Sequence, residues 1–462
     1  MNQEGSIRQE EDSLGSIGVA ANRYWGAQTE RARLNFTISP YRIPQALLRA
    51  LLRIKGACAK VNGELSLLDS RLVDALVQAA KEAQAGQFDE EFPLDVFQTG
   101  SGTSWNMNAN EVLAGRANEI LTGKRGGKTP VHPNDHANKG QSSNDVIPSA
   151  LNLSNRIEAE KTAGALEALA KGFQAKSVEF AKIIKIGRTH LQDAVPMTLG
   201  AEFGGWGQQM LKAAQRLRSC FQDLEELALG GTALGTGLGA HPLFAHKVAQ
   251  ELARQTGIEF RVAENFYEAI SARDAQVQVM GTLNTAAVAL LKICNDLRLL
   301  SSGPRTGLGE ISLPSLQPGS SIMPGKVNPV ILEMVIQACA HIQGKAVAAS
   351  VAGQNGPLQL NIMMPLLGFE TLSSLDLLAK ACHSLLEKCV RGIEANKEQC
   401  LLQIERSLAM VTPLASKIGY DKAATLAKLA LAQGKTIREL ALEENILPES
   451  DLNDVLDPNS MV

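Results

Sequence analysis

Between Pro148 and Pro304 only Pro196 and Pro242 interrupt the chain, and this proline-poor centre most constrains the fold. A proline inside a helix removes a hydrogen bond and collides with the preceding turn, so their scarcity leaves room for very long helices. Within the centre, Met280, Leu283, Ala287, Leu290, Cys294 and Leu297 alternate at three- and four-residue steps, a heptad seam. Leu166, Leu169, Phe173 and Phe180 follow the same period, with Lys176 the one break. Further long patterns run from Glu202 to about Leu229, from Pro329 to about Val351 and from Leu366 to about Val390. Such helices carry apolar stripes on more than one side. They predict a mainly α bundle that also buries surface against other copies of the chain.

The flanks read differently. Shorter patterns, Gln45 to Asn62 and Asp69 to Gln84, occupy the Pro- and Gly-punctuated beginning, and Lys422–Gln433 and Thr436–Glu444 suggest a small helical tail. These shifts predict three domains: 1–141, mixed but mostly helical; 142–396, the long-helix bundle; and 397–462, a small helical domain. Ala and Leu abound while aromatics make up only 4%, which favours helices. A net charge of -3 with no basic stretch argues against a nucleic-acid partner. The start, MNQEGSIRQEEDSLG, lacks the apolar region of a secretory signal and the Arg-rich character of a transit peptide. No unbroken run of about eighteen apolar residues exists, so no membrane span is expected and the chain reads as cytoplasmic. Seven scattered cysteines without a CxxC pair exclude zinc and iron–sulfur spacing and read as buried thiols in a reducing compartment.

Four polar, Gly-punctuated stretches interrupt this helical background: TGSGTSWNMNANE (Thr99–Glu111), HPNDHANKGQSSND (His132–Asp145), GRTHLQDAVP (Gly187–Pro196) and GSSIMPGKVNP (Gly319–Pro329). Each is rich in groups that bind carboxylates. The last fails as a phosphate loop, because five residues separate Gly319 from Gly325 and Val327 follows Lys326. Asn328, Pro329 and the apolar run beyond them instead read as a helix start, with Asn328 as N-cap and Pro329 at N1. Orphan N–H groups, the positive dipole end and Lys326 would together hold an anion. A serine there could lose its proton only with strong local stabilisation, which backbone amides and Lys326 could supply. Taken alone, His190 could equally be structural, the HPND stretch an ordinary turn, and Asn106, Asn108 and Asn110 helix-start caps. GTGLGA (Gly235–Ala240) has the outline of a dinucleotide motif but follows a helical pattern where that motif needs a strand.

Taken together, in this order and spacing, the four stretches resemble the fumarase/aspartase superfamily, most closely its class II, metal-independent fumarate hydratases. The likeness runs from RYWGAQTERARLNF (Arg23–Phe36) to IGYDKAATLAKLA (Ile418–Ala430). It implies a three-domain fold whose central helices build the twenty-helix core of a homotetramer, with active sites shared by three subunits. It implies reversible anti addition of water to fumarate, giving L-malate, a step of the tricarboxylic acid cycle, through an aci-carboxylate, with no metal or organic cofactor. By the same resemblance Ser320 is the base and Ser321 its substrate-contacting neighbour. Lys326 and Asn328 hold the activated carboxylate, and Thr189 and His190 face substrate or water, with His190 paired to Glu333. Ser101, Thr103, Ser142, Ser143 and Asn144 match substrate-clamping positions, and His132, Pro133, Asn134 and Asp135 a secondary anion site. The sequence departs from the pattern at Trp105, at Gly239, and at Thr129 and Pro130, where a basic pair is usual. Aspartate ammonia-lyase, using the same base and clamp, is the alternative activity. TGSGTS and GQSSND favour the hydratase over it, and a non-catalytic structural descendant is a third reading.

Overall fold

The structure, a computed structural model, describes residues 6–462. The chain opens with a hairpin, β1 (Ile7–Asp12) and β2 (Gly15–Ala20), followed by α1 (Ala27–Asn35), α2 (Gln45–Glu64), α3 (Ser70–Gln84) and α4 (Thr103–Thr122). Next come α5 (Ser143–Glu179), a second hairpin of β3 (Ile184–Thr189) and β4 (Gln192–Thr198), and α6 (Leu199–Arg218). Short elements follow: α7 (Phe221–Leu224), β5 (Glu226–Leu227), α8 (Phe244–Thr256), β6 (Arg261–Val262) and α9 (Phe266–Ser271). Then α10 (Asp274–Leu300), β7 (Ile311–Ser312), α11 (Val330–Gln354), α12 (Met364–Lys388) and β8 (Glu394–Ala395) lead into the tail. The tail holds α13 (Lys397–Arg406), α14 (Val411–Ile418), α15 (Tyr420–Gln433), α16 (Ile437–Glu443) and α17 (Glu449–Val455). Among the described residues the strands pair only in twos, so the fold is mainly α as expected.

Local chemistry sets the element ends. Asp69 caps α3 by accepting the Arg71 N–H, and Thr436 and Glu439 form a reciprocal capping box at α16. The expected helix from Glu202 to about Leu229 breaks after Arg218. There the Ser219 hydroxyl donates to the Arg216 carbonyl at 2.7 Å and the Cys220 N–H turns back to Leu217, so side chain and backbone compete with helix continuation. The segment ahead of GTGLGA is therefore α7 and the two-residue strand β5, not a continued helix.

The chain forms two compact units that alternate along the sequence. One comprises residues up to Ala163, Gln215–Thr285 and His341–Leu378; the other comprises Gly164–Ala214, Ala286–Ala340 and Ala379–Val462. In the first, α2 lies against α3, α4 and α8 and buries Leu47, Leu48, Leu51 and Leu52 completely or nearly so. In the second, the β3 residues Ile184 and Ile186 join Ile404, Met410, Leu414, Leu426 and Leu440 in one apolar cluster. That cluster seats the β3–β4 hairpin on the C-terminal helices. The heptad seam of α10 is buried at every position from Met280 to Leu297. Lys176, the break in the α5 seam, is buried as well, because its ammonium donates to the Ile393 carbonyl at 2.7 Å and pairs with Glu179.

Among the described residues, two helices are long and apolar enough to cross a membrane by length and composition: α10 and α11, with 18-residue windows of mean hydropathy 1.4 and 1.2. Only 44% and 22% of those windows are buried within the chain, so much of the apolar surface of α11 faces outward. All seven cysteines are buried and unpaired. Burial pushes the Cys339 and Cys389 thiols up to about 12 and the Cys400 thiol to about 11.

Candidate active site

The first group of expected residues gathers where α4 and α5 begin, inside the first unit. The Gly102 N–H closes a turn onto Thr99, and Gly102, at φ +74, has no room for a side chain because Ile147 would stand 2.9 Å from its Cβ. That turn directs Ser101 and Thr103 to the same side, with their hydroxyl oxygens 2.7 Å apart. Gly100 packs backbone to backbone against Ile362 and accepts the Met364 N–H at 3.0 Å. Ser142 caps α5: its hydroxyl accepts the Asn144 N–H, while Asp145 reaches back to the Ser142 N–H at 2.9 Å. The other Asp145 oxygen accepts the N–H groups of Gly230 and Thr232 at 3.0 and 2.9 Å, and the Asn144 amide donates to Ala233. Burial pushes Asp145 up to about 7, against the pull of these three backbone donors. Asn106 joins the two helix starts by donating to the Ser143 hydroxyl at 3.1 Å.

The second group lies in the second unit. Thr189 ends β3, and His190 and Leu191 form the two-residue turn into β4, where Thr189 pairs with Gln192. Both turn residues have positive φ, 57° and 61°. This is the backbone of a tight primed hairpin, built without the glycine or asparagine that usually relieves it. The turn is exposed. Its root is held by a buried carboxylate: Glu310, 0% exposed, binds Arg188 at 2.7 Å and stands 2.9 Å from the Lys185 ammonium. The Lys185 contact is an ion pair without hydrogen-bond alignment, since the same Glu310 oxygen has no hydrogen-bond partner. Glu202 completes the Lys185 shell at 2.7 Å.

The third group is the Gly319–Pro329 loop, also in the second unit. Its neck is narrow. Gly319 donates to the Lys326 carbonyl at 2.8 Å, and a Cβ at Gly319 would stand 2.5 Å from that oxygen. The Asn328 side-chain amide donates to the Gly319 carbonyl at 2.6 Å. Helix α11 therefore starts at Val330, one residue later than expected, and Asn328 ties the loop shut instead of capping the helix. At the tip the Ser320 hydroxyl oxygen accepts N–H groups from Ile322 and Met323 at 3.3 and 3.0 Å. Residues 321–327 are exposed, including Ile322 at 84%, and Lys326 forms no ion pair among the described residues. Glu333 lies in the first turn of α11, and no hydrogen bond or ion pair joins it to His190 among the described residues.

The HPND segment forms a single wide turn. His132 caps it, its Nδ1 accepting the Asn134 and Asp135 N–H groups, and His136 Nδ1 accepts the His132 N–H at 2.8 Å. The buried asparagines of α4 are not caps. Asn106 and Asn110 both donate to the Asn138 side-chain oxygen, and Asn108 donates to the Glu91 carbonyl. Trp105 is 1% exposed, and its backbone N–H donates to the Gln98 side-chain oxygen at 3.1 Å. Gly239 has φ +86, a region that glycine and asparagine share. Sequence reasoning missed Lys55, Asn138, Asp145 and Glu310, which hold the recognised residues from behind.

A lyase family model matches residues 15–344, and a model of the fumarase C C-terminus matches residues 410–462. A "Fumarate hydratase class II" of Methylorubrum extorquens is 48% identical over 456 residues, covering 98% of this chain and 97% of the relative. "Fumarate hydratase class II 2" of Bradyrhizobium diazoefficiens is 48% identical over 458 residues, covering 99% and 97%. A crystal structure of the class II fumarase of Schistosoma mansoni superposes with a TM-score of 0.95 at 41% identity, covering 98% of each chain. The chain thus belongs, over nearly its whole length, to the class II fumarate hydratases of the fumarase/aspartase superfamily.

Proposed function

We propose that the chain interconverts fumarate and L-malate, with Ser320 as the base. The observation that carries this assignment is the pair of backbone N–H groups aimed at the Ser320 hydroxyl oxygen, beside the start of α11 and the unpaired Lys326. Donors fixed in advance stabilise an alkoxide without reorganisation. In the direction of dehydration, Ser320 takes the proton from the malate carbon next to a carboxylate, and the electron pair moves into that carboxylate as an aci-carboxylate. Lys326 and the second hydrogen of the Asn328 amide hold the resulting dianion. The pair then returns to form the double bond as hydroxide leaves, protonated from the side of His190 and Glu333, with Thr189 and Ser321 against the substrate. Ser101, Thr103, Ser142, Ser143 and Asn144 grip the other carboxylate.

No hydrogen bond or ion pair joins His190 and Glu333 among the described residues, so their pairing calls for another copy. The outward apolar surface of α11 supports the same assembly, a homotetramer with each site drawn from three subunits. We keep the division into 1–141, 142–396 and 397–462 as part of this reading, with Ile184 and Ile186 of β3 sharing the apolar cluster of the tail. We place the enzyme in the cytoplasm. The His132–Asp135 segment receives no step, because its backbone donors already serve His132.

Absorbance of fumarate tests the assignment directly. Purified protein is expected to generate it from L-malate and not from L-aspartate, and the converse result would transfer the chain to the ammonia-lyases. Ser320→Ala is expected to abolish turnover while the assembly persists; near-normal turnover would move the base elsewhere.

A further inference from the structure

Lys55 is 1% exposed in the middle of α2, on the face that buries Leu48, Leu51 and Cys58, and it forms no ion pair among the described residues. A buried ammonium without a carboxylate costs several kcal/mol of desolvation, so its neighbours call for an explanation. Its Nζ donates to the side-chain oxygens of Asn138 and Gln141, both at 2.9 Å. The Asn138 oxygen also accepts the amides of Asn106 and Asn110, at 3.2 and 3.1 Å. The same Asn106 amide donates to the Ser143 hydroxyl at 3.1 Å. A cation thus stands two hydrogen-bonded residues behind the clamp.

Three features set this ammonium apart from a merely buried lysine. The donors converge on one amide oxygen, which orients Asn138 and fixes which hydrogens of Asn106 and Asn110 point toward it. The Asn138 amide in turn donates to the Gln141 carbonyl at 3.1 Å, so the ammonium grips both ends of the 138–141 turn that leads into Ser142. The positive charge is also buried, at 1% exposure, where little water screens it. Burial pushes the ammonium down to about 7, and Cys58 and Asp145 pull the other way.

We propose that Lys55 is the positioning residue of the carboxylate clamp. Through Asn138 and Asn106 it fixes the Ser143 hydroxyl, and in its protonated form it favours the bound diacid. The proposal rests on the reading of Ser101, Thr103 and Ser142–Asn144 as that clamp. An interaction of this kind acts on the bound diacid in the ground state and the transition state alike. Its loss therefore appears in KM and not in kcat.

The test is a double-mutant cycle of Lys55→Met and Asn106→Leu in the full chain, with kcat and KM for fumarate, the Kd of succinate by calorimetry, and Tm. Each single variant is expected to raise KM and the succinate Kd by ~10-fold, the loss of one charge-assisted hydrogen bond, with kcat within about threefold. The double variant is expected to be no worse than the weaker single, because both changes cut one chain of contacts. Unchanged KM in Lys55→Met, or additive effects in the double variant, would overturn the proposal. If Lys55→Met does not fold, Asn106→Leu with parental KM and succinate affinity overturns it alone. Failure of the clamp reading is distinguishable: succinate would then bind no worse after Thr103→Ala and Ser143→Ala than before, whatever Lys55 does.

Discussion

Gly100→Ala is a sharp test of how the clamp is built, because Gly100 does not adopt a positive φ and the change adds only a methyl group. An added Cβ would stand 1.8 Å from the Ile362 carbonyl oxygen and 2.6 Å from its carbon. Reaching even 3.0 Å from that oxygen requires a displacement of ~1.2 Å. The obstacle is backbone held on both sides: Ile362 donates to Asn355 at 3.0 Å and Met364 donates to Gly100 at 3.0 Å. The Thr99–Thr103 turn must therefore give way, carrying Ser101 and Thr103 with it. A misplacement of about 1 Å in a positioning group costs roughly 100-fold in rate, equivalent to ~2.7 kcal/mol of transition-state binding. Overpacking adds ~1–3 kcal/mol of lost stability. Initial rates from fumarate absorbance, with Tm and oligomer size measured alongside, decide the matter. Parental kcat/KM at parental Tm would show that the turn does not depend on its contact with Ile362.

Three further outcomes follow from other contacts. Leu191→Gly should raise Tm modestly, since relieving φ 61 returns ~1–2 kcal/mol while glycine gives back up to ~1 kcal/mol to the unfolded chain; a fall in Tm would mean the turn is not strained. Hydrogen bonds from Arg254, and then Gln255 and Lys60, hold Glu251 at about 2 against burial. Its folded value lies below its unfolded one, so its contribution is complete above pH ~4.5 and fades as pH falls toward 2; Glu251→Gln should flatten that part of a Tm–pH curve, and an unchanged slope would refute the assignment. Asp145→Asn turns an amide N–H toward the Ser142 N–H, at a cost of ~1–3 kcal/mol in denaturant stability, together with a higher KM; parental values of both would count against Asp145 as an organiser of the clamp.

Much of this was legible from spacing alone. The α10 seam and the ends of α2, α3, α15 and α16 to within a few residues followed from periodicity and caps. Other features were hidden by ambiguous chemistry. Asn328 and Pro329 give the same letters whether asparagine caps a helix or ties a loop, and only the position of the Gly319 carbonyl decides. The His190 hairpin carries no Asn-Gly or Gly pair, so its turn was invisible, and the strain now seen there is the reason. Asn106, Asn108 and Asn110 alternate like caps but act through long-range partners at Asn138 and Glu91. Lys55 left a trace: a lone cation on the stripe of Leu48, Leu51 and Cys58, seven residues before the buried Asn62. A charge in such a place signals a buried polar network whose members cannot be named until the chain is folded.

The seven sheltered thiols make the folded enzyme a poor target for alkylating agents, since the reactive thiolate is both scarce and walled off. Labelling at each cysteine would then time how often its surroundings open. Cys58 on α2 and Cys400 beside Glu310 would act as separate clocks for the two regions, readable by mass spectrometry without changing a residue.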